Sequence, residues 1–223
     1  MKIGINLVGV SYNDGSTGGR YRNYQDSADN FFYHIVEPLK NQGHEISFYL
    51  FSYKNEKQKE IEEKYSPCKK STFLDTVYNT LGGGDKIDGI KIMSLVYINS
   101  LRELLNEQLD LVISTRFDID FLKNPFIEFD YDFEKFNFLS IEPEYTSLPI
   151  VNDTFMVFPH SMVSNLINAI YQMETQPPFG INIGMHNLYI PMADQVGKDN
   201  IKIVCDNMYL SKEQILYRLT RHE

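Results

Sequence analysis

The chain has 223 residues, 43% of them hydrophobic and 23% charged, an ordinary globular composition that favours one α/β domain with ample core. Its formal net charge of -9 argues against a nucleic-acid partner held through phosphates, and any bound diphosphate needs local metal or arginine to offset that field. No run approaches the length of a membrane span, the amino terminus lacks a signal-peptide layout, and Cys68 and Cys205 match no metal-ligand spacing; these features predict a reduced cytoplasmic setting, the host cytoplasm if the protein is viral.

Lys2 to Val10 reads as a buried first strand, followed by a Gly-, Ser- and Asn-rich loop from Ser11 to Gly19. Ser27 is placed to N-cap a helix running to about Gln42, with Phe31, Phe32, Ile35, Val36 and Leu39 along one side. Pro38 should bend or shorten that helix, and Gly43 suits its C′ position. Glu45 to Tyr53 forms a second strand, and this βαβ start favours a right-handed crossover and a mostly parallel central sheet flanked by helices. The charged segment Lys54 to Lys64 reads as a solvated helix or loop, and Gly82 to Gly84 punctuate the chain. A helix follows from about Ile90 to Gln108, with Ile92, Leu95, Val96, Leu101, Leu104 and Leu105 as its core stripe.

Next comes Leu111-Val112-Ile113-Ser114-Thr115-Arg116-Phe117-Asp118-Ile119-Asp120, read as an apolar strand ending in an arginine and two carboxylates. In extended backbone alternate side chains share a face, so Asp118 and Asp120 converge while Phe117 and Ile119 anchor the core. Two hard oxygen ligands suit Mg²⁺ or Mn²⁺, with a substrate phosphate completing the shell. Beyond this point, Asn137 to Ile141 is a short strand and Pro159 to Met173 a helix. Gln176 to Gly180 reads as a loop, Gly184 to Gln195 as a short helix despite Pro191, Ile201 to Cys205 as a late strand, and Ser211 as a cap. Alternation is clean before Asp120 and looser after it, which divides one domain over 1–223 into a nucleotide-binding half (1–120) and an acceptor-side half (121–223).

Several separated segments are similar to one family. GGRYRNY after the first strand, LVISTRFDIDF, VNDTFMVFPHSMV, MHNLYI and the ending DNMYLSKEQILYRLTR together resemble GT-A-type glycosyltransferases, especially small bacterial and viral ones of capsule and glycan synthesis. The resemblance implies a nucleoside-diphosphate sugar donor, a glycan or other hydroxyl acceptor, and Mn²⁺ or Mg²⁺ bridging the donor's diphosphate. It implies donor contacts from Val10, Ser11, Arg20, Arg22, Arg116 and Asp118, and metal contacts from Asp118 and Asp120.

Residue chemistry is consistent with those roles and leaves some alternatives. Gly15, Gly18 and Gly19 permit close backbone approach, while Arg20 and Arg22 supply forked donors for phosphate, without a Walker A sequence. Arg116 either reaches a phosphate or pairs with the neighbouring acids. Asp153 matches the family residue on the acceptor side, where a carboxylate takes the proton of the attacking hydroxyl in an inverting transfer; otherwise it is a turn residue. His186 is either a third metal ligand, an acceptor contact or a structural imidazole. Tyr12 or Tyr21 could stack on a nucleobase. Two competing readings are a haloacid-dehalogenase-like phosphatase, whose acidic pair ordinarily ends an early first strand, and a non-catalytic scaffold domain of a glycan-synthesis protein.

Overall fold

In the computed structural model, which describes residues 1–13, 22–75, 86–142, 149–175, 184–205 and 216–219, the chain opens with strand β1 (Lys2–Val8). Two short strands follow, β2 (Tyr12–Asn13) and β3 (Arg22–Asn23), paired antiparallel. Helix α1 (Gln25–Phe31) then runs through a π-helical turn (Phe32–Val36) into α2 (Glu37–Asn41). Pro38 has no N–H to give to the preceding turn, and just before it the Glu37 N–H donates to the Phe32 carbonyl, the wide i to i−5 bond that defines the π turn. Ser27 is not the N-cap: the helix starts at Gln25, and the Ser27 hydroxyl donates to the Phe117 carbonyl instead. The helix ends as expected. Gly43 has φ +82°, its N–H donates to Lys40 O at 2.9 Å, and the His44 N–H reaches Leu39 O at 3.1 Å, which is a Schellman closure.

Strand β4 (Glu45–Tyr53) follows, then α3 (Gln58–Lys64), which the buried Ile61 pins to the core. Strand β5 (Cys68–Leu74) was not expected; it lies at the sheet edge, where Lys69 and Lys70 face water. Helix α4 (Lys86–Leu104) stops earlier than its periodicity suggested. Val96, Leu101 and Leu104 are buried, but Leu95 and Leu105 are exposed; Tyr97 and Ile98 take up the inward face. The strand after it, β6 (Leu111–Arg116), ends at the arginine; Phe117 and Asp118 make a turn, and the chain resumes as β7 (Ile119–Phe121). Asp118 and Asp120 therefore do not alternate along one strand.

Helix α5 (Pro125–Glu128) is N-capped by Asn124, whose side chain accepts the Phe126 N–H. Strands β8 (Phe136–Glu142) and β9 (Ile150–Val151) pair antiparallel. Phe155–Pro159 is strand β10, so Pro159 closes a strand instead of opening the expected helix; α6 (Val163–Thr175) begins after a 3-10 turn. Another 3-10 turn (Gly184–Leu188) leads into α7 (Tyr189–Val196), followed by β11 (Ile201–Cys205) and β12 (Tyr217–Leu219).

The central sheet has the order β11-β8-β10-β6-β1-β4-β5, with β9 attached to β8. Strands β6, β1, β4 and β5 run parallel, β11 runs parallel to β8, and β10 runs antiparallel to both of its neighbours. The sheet is mixed but mostly parallel, and helices flank it. Its strands are apolar on both sides: Ile3, Ile5, Leu7, Leu111, Ile113 and Val157 join the core under α1, while Val8, Val112, Met156 and Phe158 join the core under α4 and α6. Among the described residues, no helix is long and apolar enough to cross a membrane.

Candidate active site

The parallel strands β1 and β6 end side by side, with Val8 opposite Arg116. Because β10 runs the other way, its first residue, Phe155, pairs with Thr115. The segments 9–11, 117–118 and 152–154 thus meet at the carboxyl ends of the parallel strands, where open α/β sheets bind ligands.

Gly9 lets the chain leave β1. Its φ of +118° is a conformation that other residues rarely adopt, and its N–H donates to Phe51 O at 3.0 Å. Val10 is half-buried against the core under α4. Ser11 is buried: its N–H donates to Ser52 Oγ at 3.1 Å, its hydroxyl lies 2.7 Å from that oxygen, and its carbonyl accepts the Tyr24 N–H at 2.8 Å. Those bonds use the Ser11 hydroxyl to fix the base of the loop. The β2–β3 pair then returns the chain so that Arg22, itself buried, comes back over the site. Arg20, Tyr21 and the loop glycines Gly15, Gly18 and Gly19 lie outside the described residues, as do Gly82 to Gly84, the Gln176 to Gly180 loop and Ser211.

Asp118 is the centre of the site's charge pattern. Arg116 Nε donates to Asp118 Oδ1 at 2.8 Å and Nη2 to Oδ2 at 2.7 Å, the bidentate fork that arginine makes with a carboxylate. Arg22 Nε stands 3.4 Å from the same Oδ2. Asp118 is only 5% exposed, so both guanidinium groups are held on a nearly dry carboxylate. Burial alone pulls the Arg116 pKa down, but Asp118, with Asp153 and Tyr217 adding to it, more than reverses that and raises it.

The turn bearing Asp118 is fixed from below. Phe117 is buried, its ring edge-on to Tyr65 at 5.7 Å. On β7, the Phe121 N–H donates to Asn30 Oδ1 at 2.6 Å and Asn30 Nδ2 returns to Phe121 O at 2.8 Å, so an α1 side chain stands in for a strand partner. The other edge of β7 pairs with β12, Asp120 opposite Arg218. Asp120 is 7% exposed.

Asp153 sits between Asn152 and Thr154, both buried. Asn152 Oδ1 accepts the Thr154 N–H at 3.0 Å, an Asx turn across the aspartate. Asn152 Nδ2 donates to the Tyr217 hydroxyl at 2.7 Å, and Thr154 Oγ1 lies 2.6 Å from that hydroxyl. Burial raises the Tyr217 pKa, with Asp153 acting in the same direction, so the phenol stays protonated. His186 Nδ1 is 3.0 Å from Val151 O and 3.6 Å from Asp153 Oδ1. Among the described residues, Asp118, Asp120 and His186 do not gather into a three-ligand set; His186 faces Asp153 instead.

The structure thus brings together Arg22, Arg116, Asp118 and Asp153 from segments far apart in sequence, and adds residues that sequence reasoning missed. Asn152 carried a readable signal, since Asn-x-Thr is an Asx-turn sequence. Tyr217 lies in the family-like ending DNMYLSKEQILYRLTR, but its partners are 63 and 65 residues away, so no local pattern joined it to this turn.

No known protein family and no curated protein matches the sequence. Solved structures do match in fold. One is the crystal structure of a glycosyltransferase involved in the glycosylation of the major capsid of PBCV-1, aligned over 97% of this chain and 91% of that one, with a TM-score of 0.52 and 8% identity. At that identity the likeness is one of fold.

Proposed function

We propose that this chain is a glycosyltransferase that takes its sugar from a nucleoside-diphosphate donor and passes it to a hydroxyl acceptor. The observation that carries the reading is the convergence of Arg22, Arg116, Asp118 and Asp153 at the carboxyl ends of β1 and β6. The fold shared with a glycosyltransferase supports it. In this reading the guanidinium groups of Arg22 and Arg116 meet donor phosphate oxygens, and Asp118 keeps both aimed at one place.

Divalent metal is consistent with this residue set. Around the site two guanidinium groups stand against the carboxylates of Asp118, Asp120 and Asp153, so the described charges cannot neutralise a diphosphate alone. Asp118 and Asp120 are hard oxygen donors of the kind that suits Mg²⁺ or Mn²⁺, and both are buried at this corner. When bound, such an ion would offset negative charge on the departing nucleoside diphosphate. Asp153, in the turn just before β10 at the same corner and partly open to solvent, is assigned to the acceptor hydroxyl as general base.

The test is incubation with Mn²⁺ or Mg²⁺ and a panel of nucleoside-diphosphate sugars, with free nucleoside diphosphate as the readout. Slow donor hydrolysis without acceptor, weakened about tenfold to hundredfold in Arg22→Ala at donor concentrations below KM, is the expected result. Hydrolysis of phosphate monoesters with no turnover of any sugar nucleotide would replace the transferase reading with a phosphatase.

A further inference from the structure

We propose that Tyr217 and His186 are positioning residues for the Asp153 carboxylate, Tyr217 by locking the backbone arch that carries it and His186 by setting its ring, tied to the Val151 carbonyl, beside one of its oxygens. This inference rests on the reading of Asp153 as the base for the acceptor hydroxyl.

The arch is Asn152-Asp153-Thr154, and it is tied to strands on every side. The Asn152 N–H donates to Ser140 O on β8 at 3.0 Å, and Thr115 Oγ1 on β6 donates to Thr154 O at 2.9 Å. The Asx bond closes it internally, and the Tyr217 hydroxyl receives Asn152 Nδ2 while lying against Thr154 Oγ1. Asn152, Thr154 and Tyr217 are all buried, whereas Asp153 keeps 22% of its side chain open. Three inward side chains therefore hold a fourth outward. Tyr217 also belongs to β12, where it pairs with Phe121 of β7. The same residue thus joins the segment bearing Asp120 to the arch bearing Asp153, fixing donor-side and acceptor-side groups relative to each other.

His186 acts on the carboxylate itself. A carbonyl oxygen only accepts, so the 3.0 Å contact with Val151 O puts the proton on Nδ1. That N–H edge also faces Asp153 Oδ1 at 3.6 Å. Buried Met185 and Leu188 on the same 3-10 turn anchor the ring's position. With Oδ1 turned toward the imidazole edge, Oδ2 is the oxygen that meets an acceptor. In transfer, the acceptor O–H bond breaks and its proton goes to Asp153. The freed oxygen pair forms the bond to the anomeric carbon, and the nucleoside diphosphate leaves with the pair of the old glycosidic bond. The His186 proton stays where it is.

The experiment compares Tyr217→Phe, His186→Ala, His186→Asn and Asp153→Asn in transfer kinetics and donor affinity, each variant first confirmed as folded by thermal melting. Asp153→Asn should lose about 10²–10⁴-fold in kcat, the usual contribution of a general base, with donor Kd unchanged. Tyr217→Phe and His186→Ala should each lose roughly tenfold or more in kcat with donor Kd unchanged. His186→Asn, which returns an N–H near the Nδ1 position, should recover most of that loss. In an Asp153→Asn background neither substitution should cost anything further, because coupled residues are not additive. Independent losses in that background, or losses that fall on donor Kd, overturn the proposal. Full activity in His186→Ala and Tyr217→Phe with an inactive Asp153→Asn overturns it while leaving the base assignment in place. A fully active Asp153→Asn removes both. Nitrogen-15 NMR of the His186 ring gives a readout independent of turnover: the neutral Nδ1–H tautomer is expected, and an Nε2–H tautomer refutes the contact.

Discussion

Replacing Asp118 by Asn is the perturbation with the sharpest consequence, because it keeps the shape of the side chain and removes the charge shared by two guanidinium groups. Arg116 holds both oxygens at 2.8 and 2.7 Å, and Arg22 stands at 3.4 Å. Hydrogen bonds to charged groups are worth about 1.5–3 kcal/mol each, and removing one partner of a fully buried pair costs about 3–5 kcal/mol. The Arg116 side chain is 30% exposed, so water recovers part of its solvation, and the lower end applies: about 2–3 kcal/mol of stability. For a chain of this size, where each kcal/mol moves Tm by about 2–4 °C, that is a drop of about 4–12 °C. The protein should stay folded, since about 2–3 kcal/mol is well inside a typical stability of about 5–15 kcal/mol. Differential scanning calorimetry gives the first number, and titration calorimetry with a nucleoside diphosphate and Mn²⁺ gives the second, an affinity loss larger than the stability loss alone would cause. An unchanged Tm would mean that the carboxylate does not hold the arginines. A lowered Tm with unchanged nucleotide affinity would leave Asp118 a structural residue and refute its donor role.

Three further outcomes follow from the same geometry. Arg22→Ala should weaken nucleoside diphosphate affinity about tenfold to hundredfold, the equivalent of about 1.5–3 kcal/mol for a charged contact, with acceptor KM untouched; equal affinity in calorimetry removes the β2–β3 corner from the site. EDTA should abolish donor hydrolysis and added Mn²⁺ or Mg²⁺ restore it, whereas an unchanged rate in EDTA refutes the assignment of metal to Asp118 and Asp120. Gly43→Ala, at φ +82° with nothing within 4 Å of the added Cβ, should cost about 1–2 kcal/mol by conformation alone and lower Tm without touching kcat; a Tm equal to wild type would contradict the left-handed helix end.

The parts of this fold that are legible in the sequence are those set by one local pattern. Strands β1 and β4 are continuous apolar runs, Gly43 follows a periodic helix, and Ile201 to Cys205 is a short run of strand-forming residues. The elements missed are those whose pattern is not local. Cys68–Leu74 is a strand because β4 offers it an edge, and its half-exposed, lysine-bearing sequence shows no clean alternation. Phe155–Pro159 is buried on both faces, so its apolar run reads equally well as an approach to the following helix. The turn at Phe117 and Asp118 is imposed from outside, by Ser27 on the Phe117 carbonyl and Asn30 on Phe121. The alternation read along this stretch therefore fails at the turn, and Asp118 and Asp120 do not share one strand.

Register explains why the segments of this corner can be read one by one but not assembled from the sequence. Val8 opposite Arg116 and Phe155 opposite Thr115 bring three segments to one corner, and neither pairing is encoded in any single stretch. Side chains alternate along a strand, so a one-residue slip of β10 against β6 would turn Phe155 and Val157 out of the core under α1. It would also move Thr154 away from Thr115 Oγ1 and from the Tyr217 hydroxyl, leaving Asn152 buried with its amide unpaired. Burial of the two apolar residues thus selects the same register that the polar arch requires. The aspartate at its centre is outward because its neighbours have better reasons to be inward, and that is a property of the packing rather than of the Asn-Asp-Thr sequence.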